Sequence, residues 1–108
     1  MLGQNSVAAA TAVVGYDLAR DTTWQASGKA RVLVAVGLRG SAAALDTKID
    51  IFVGDRKVGE MYNDTTGAPN RDAMFRIGVA VPPHEEVHLF ITDAPVTSPI
   101  NVAVDFQE

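Results

Sequence analysis

The chain has 108 residues, no cysteine and a net charge of −4. That length suits one domain, able to bury enough surface to fold without a disulfide or metal staple. The missing cysteines exclude thiol nucleophiles, thiolate-bound zinc and iron–sulfur chemistry. Arg20, Arg31, Arg39, Arg56, Arg71 and Arg76 are scattered through an acidic chain, whereas nucleic-acid binding needs a concentrated positive surface, so no such partner is expected.

Met1–Ser6 has no basic region followed by an apolar core and does not read as a secretory leader. Val7–Gly15 is apolar, yet far short of the roughly 20 residues that cross a bilayer. No membrane partner is expected, and localisation stays open. Val7–Val14 suits either a strand or a short helix, since valine and threonine favour the first and alanine the second. Tyr16–Arg20 suits a helical turn.

Ala30–Leu38 reads as a strand with Val32, Val34, Val36 and Leu38 inward and Leu33, Ala35 and Gly37 outward. In Thr47–Tyr62, Ile49, Ile51 and Val53 alternate with polar neighbours. Gly54–Lys57 then supplies turn chemistry, which makes the segment a β-hairpin. Ala73–Val81, Val87–Thr92 and Ile100–Phe106 alternate in the same way. Pro82-Pro83 and Pro95–Pro99 fall between strands, because proline cannot donate to a ladder. Arg39–Asp46 and Asn63–Asp72 carry loop residues.

The sum is an all-β fold, an antiparallel and jelly-roll-like β-sandwich of roughly 7–8 strands. Residues 1–108 form its single domain, with 1–15 an N-terminal arm or an edge strand. Val34, Val36, Ile51, Val79, Leu89 and Val102 are expected in the shared core.

One motif invites a catalytic reading. His84-Glu85-Glu86-Val87-His88 fits the zinc-hydrolase pattern H-E-x-x-H, which works only when a helix sets both histidines on one face. Here Pro82-Pro83 precedes it and Val87, Leu89 and Ile91 alternate after it. On an extended chain the two histidines stand about 13 Å apart. No metal site and no cofactor are therefore expected. Asp46, Asp64 and Asp72 lie in loops of the kind that hold calcium in sandwiches, but their spacing fits no EF-hand. No serine sits in a Gly-x-Ser-x-Gly elbow, and no glycine run cradles phosphate.

Two classes of function remain. On Ala30–Leu38, Ala73–Val81 and Ile100–Phe106 the face opposite the core is small and neutral at Ala35, Gly37, Gly78, Ala80 and Ala103. A solvated face would carry more charge. These residues are the candidate interface of a non-enzymatic subunit that self-associates as a homo-oligomer or docks into an assembly, such as a virion shell or decoration protein. The alternative is a small carbohydrate- or ligand-binding module using Tyr16, Trp24, Tyr62 and Asp64.

Overall fold

Alternating apolar residues can bury one face only if a second apolar layer covers it. The computed structural model, which describes residues 2–8, 10–40, 47–63, 74–95 and 100–107, meets this demand with two packed antiparallel sheets. The strands are β1 (Leu2–Val7), β2 (Arg31–Gly40), β3 (Lys48–Val53), β4 (Arg56–Tyr62), β5 (Phe75–Val81), β6 (Val87–Asp93) and β7 (Ile100–Gln107). One sheet has the order β1-β7-β2-β5 and the other β4-β3-β6. The all-β sandwich read from the alternation is therefore the fold.

Between the sheets, Val36, Leu38, Ile49, Ile51, Val53, Leu89, Ile91, Val102, Val104 and Phe106 are almost fully buried. Each large side chain so placed contributes roughly 1.5–3 kcal/mol. The β3–β4 hairpin turns at Gly54–Asp55, where Gly54 has φ +59°. A Cβ there would meet the Glu85 carboxylate, the movable end of a flexible side chain, so it is the positive φ that calls for glycine. Asn63 joins the two sheets. Its amide donates to the Gly40 carbonyl at the end of β2, and its carbonyl oxygen accepts from Thr47 N just before β3.

Strict alternation fails at Val34. Against β7, Leu33 lies opposite Phe106 and Ala35 opposite Asp105, so Val34 is an extra residue. Against β5, Leu33 faces Val79 and Ala35 faces Arg76, so β5 holds an extra residue near Gly78, whose φ is +71°. A bulge shifts the phase of the strand that carries it. Leu33 therefore enters the core upstream and Val36 and Leu38 downstream, while Val32 is left exposed. Val34, expected in the core, instead packs half-buried against Ala35, Met74 and Ala103 on the outer side. Val36, Ile51, Leu89 and Val102 lie in the core as expected, with Val79 half-buried against it.

The first strand ends earlier than the composition suggests. Val7 pairs with Ile100, the first residue of β7, which is the last pair of the described ladder. The chain then turns, with Thr11 N and Ala12 N donating to the Ala8 carbonyl. Leu2–Val7 is thus an edge strand paired within its own chain, and the described residues that follow it, 8 and 10–14, are neither strand nor helix. Tyr16–Arg20 runs along β6 before turning and forms no helix.

Ile51→Ala is expected to cost about 2–5 kcal/mol in denaturant melts, because the site is fully enclosed. Val34→Ala should cost clearly less, on the order of 1 kcal/mol, since its methyls leave only a partly covered surface. Equal losses would place Val34 in the central core and remove the bulge.

Candidate functional site

The long connection 8–30 carries most of the unusual chemistry of the chain. Its middle lies along the outer edge of β6. Gly15 N donates to the Ile91 carbonyl, Ile91 N to that of Tyr16, and Leu18 N to that of Leu89. Asp17 and Phe90 form an antiparallel bridge at this point. Further on, Val87 N donates to the Gln25 carbonyl and His84 N to that of Ser27.

Asp17 fixes this docking. Its Oδ1 accepts from Ala19 N at 2.9 Å and Leu89 N at 2.8 Å. Its Oδ2 accepts from Gln25 Nε2 at 2.9 Å and meets His88 Nδ1 at 2.8 Å. Four contacts fill the acceptor sites of a carboxylate whose side chain is only 11% exposed. His88 in turn stacks on Phe90, with ring centroids 5.2 Å apart, and Phe90 meets Phe52 edge-on at 5.6 Å. An Asp-oriented imidazole resembles half of a hydrolytic triad. Among the described residues no hydroxyl is hydrogen-bonded to His88.

His84 sits in the turn before β6, with φ +67°, and His88 within that strand, so the H-E-x-x-H residues span a turn-to-strand junction rather than a helix. Among the described residues no three His, Asp or Glu side chains gather to hold a metal ion. Asp46, Asp64 and Asp72 fall outside the described residues. No described helix is long and apolar enough to cross a membrane.

Two of the predicted binding aromatics meet. Tyr16 and Trp24 line one open groove of about 480 Å³ between β1 and residues 20–24. Trp24 is its floor rather than a free platform, at 4% exposure. One face lies so close over Gly3 that a Cβ there would stand 2.5 Å from the indole. Phe106 packs against the same ring with centroids 6.3 Å apart, and the guanidinium of buried Arg31 lies 4.2 Å from the Phe106 centroid. That guanidinium also donates to the Trp24 carbonyl at 2.6 Å. Tyr62 is elsewhere, at the end of β4 beneath Lys48 Nζ.

The predicted interface residues divide. Ala35, Gly37 and Ala103 are buried within the chain itself, the two alanines clustering with Met74 and Val34. Gly78 and Ala80 remain exposed, and Val32, paired with Ala80, is exposed beside them.

The sandwich is closed unevenly. On one side, connection 8–30 covers the edge of β6. On the other, β4 and β5 are the outermost strands of their sheets among the described residues and touch where Phe75 and Ile77 approach Gly59. There Phe75 is 44% exposed, and Val58, Met61 and Ile77 are only half-buried. The outer face of β3 and β4 is polar instead, with Lys57 bridging Asp50 and Glu60, and Lys48 also reaching Glu60. The hydrogen bond from Lys57, with that from Lys48, holds the Glu60 carboxyl below its ordinary range. Glu60 in turn raises the Lys57 ammonium. No family model matches the chain, and neither a curated protein nor a solved structure is similar to it.

Asp17→Ala is expected to cost about 2–4 kcal/mol, because it strands two backbone donors along with Gln25 and His88. Denaturant melts together with faster hydrogen exchange at Leu89 N would register the loss, whereas an unchanged melt would deny Asp17 its anchoring role. At Glu60 a lowered folded pKa means a contribution present above the ordinary glutamate range and lost as pH falls through the folded value. An NMR carboxyl titration should find that low midpoint, and Lys57→Gln should move it upward.

Proposed function

We propose that this chain is a non-enzymatic interaction subunit that self-associates, or docks into a larger assembly, through its β4–β5 side. The observation that carries the reading is the uneven closure of the sandwich. Phe75 is 44% exposed there, amid the half-buried Val58, Met61 and Ile77. Exposed Val32, Gly78 and Ala80 lie along the neighbouring face, beside the exposed Arg76. A stable interface takes about 800 Å² from each partner. That is roughly 15% of the 5378 Å² surface of the chain, an area that one side of a sandwich can supply.

Topology adds support by analogy. If the Tyr16–Leu18 segment bridged to β6 counts as a short strand after β1, the sheets run first-eighth-third-sixth and second-seventh-fourth-fifth. Counted in that way the order supports the jelly-roll reading, a fold used by viral capsid domains and by lectins alike. A virion shell or decoration subunit is one assembly of this kind, though fold alone assigns no role.

Size-exclusion chromatography with light scattering is expected to find a discrete oligomer. Phe75→Glu should reduce it to monomer with little change in melting, because the side chain is already half open to solvent in the single chain. Ala80→Glu should weaken it as well, by placing a charge on the adjoining surface. A wild-type chain that stays monomeric at high concentration would overturn the proposal.

A further inference from the structure

The groove beside β1 has a chemistry distinct from that of the β4–β5 side. Its lining is dominated by hydroxyl and amide groups. Among the described residues the side chains of Thr11, Tyr16 and Thr23 make no hydrogen bond within the protein, which leaves three hydroxyls able to donate and accept. Arg20 and Asp21 stand side by side on the rim, 3.8 Å apart and both exposed, so the site offers paired donors and acceptors with no net charge. Asp21 holds its place with φ +60°, a left-handed conformation that aspartate tolerates.

We infer that this groove binds a neutral polyol, a carbohydrate of one or two sugar rings. Four lines of argument lead there. The volume of about 480 Å³ falls within the range of small-molecule sites, about 300–1,000 Å³. Mixed hydroxyls, amides and a balanced Arg–Asp pair match a ligand made of hydroxyl groups, and they fit an anion or an apolar ligand poorly. A peptide adding as a strand finds the β1 edge already engaged. The Gln4 carbonyl accepts from the Trp24 indole, and Ser6 N donates to Asn5 Oδ1. Finally, the walls are fixed before any ligand arrives. Asp17 anchors the chain next to Tyr16, Thr22 Oγ1 donates to the Ala19 carbonyl, and Arg31 holds the Trp24 carbonyl. A rigid site loses less entropy on binding, which matters where each contact is a hydroxyl exchanged with water.

Trp24 is the single tryptophan of the chain and forms the floor of the groove, so its fluorescence reports occupancy directly. The 108-residue chain is titrated with glucose, galactose, mannose, N-acetylglucosamine and the disaccharide maltose, with inorganic phosphate at matched ionic strength as control. At least one sugar is expected to change Trp24 emission saturably, with millimolar affinity, and to shift the backbone resonances of Ser6, Tyr16 and residues 20–24. Tyr16→Phe and Thr23→Val, which remove one hydroxyl each, should each weaken binding at least threefold and leave the remaining resonances in place. Both variants should also keep the oligomeric state of the parent, because the groove lies away from Phe75. The inference is overturned if none of these sugars shifts the groove resonances, if phosphate shifts them more than any sugar, or if the hydroxyl-deleted variants bind as the parent does.

Discussion

The carboxylate of Asp17 is the contact on which the closed side of the sandwich depends. Connection 8–30 is long and has no strand ladder of its own, so its backbone groups must find partners elsewhere. Asp17 supplies them at one point, accepting from two backbone amides, from Gln25 and from His88. Charge-assisted bonds of this type are stronger than neutral ones. Once Asp17 is seated, Gly15, Tyr16 and Leu18 fall into register with Ile91 and Leu89. Leu18 and Ala19 are then driven into the core, together with Trp24 further along. Arg31 secures the return of the chain at the Trp24 carbonyl and over the Phe106 ring.

This arrangement explains which parts of the fold were legible in the sequence. Period-two alternation is a local property, and β3, β4, β6 and β7 were recoverable to within a residue or two because it holds over most of each, even though β4 and β6 carry an extra residue opposite β3, at Val58 and Thr92. Val34 misled because bulges against β7 and β5 fall together there, and a bulge leaves no reliable mark in composition. Gly78 was the one available clue, a glycine inside a strand pattern. Asp17 and His88 were out of reach of local reading. They are 71 positions apart, and a single aspartate in a loop looks like any turn residue. The H-E-x-x-H string did draw attention to His88, but for a helical chemistry that a turn-to-strand junction cannot perform.

The candidate sites show the same division between local and long-range information. Small residues facing away from the core suggested a neutral docking face, yet three of the five are already covered within the chain. The exposed apolar side chains follow from topology instead: among the described residues β4 and β5 are the outermost strands of their sheets, and Phe75 reaches solvent past the rim. Edge strands left in that state are the usual place for another chain to add. The aromatic reading fared similarly. Tyr16 and Trp24 do share a groove, but its polar character comes from threonines and an Arg–Asp pair that no sequence motif singles out.

Among the described residues the sandwich is therefore one of contrast, covered along β6 by its own chain while β4 and β5 have no described neighbour outside them. Hydrogen–deuterium exchange followed as a function of protein concentration tests it most directly. The account predicts that amides of β6 and of Gly15–Leu18 are protected at every concentration. Those on the outer edges of β4 and β5 should exchange quickly in dilute solution and become protected as concentration rises. Slow, concentration-independent exchange along β5, or free exchange along Gly15–Leu18, would contradict it.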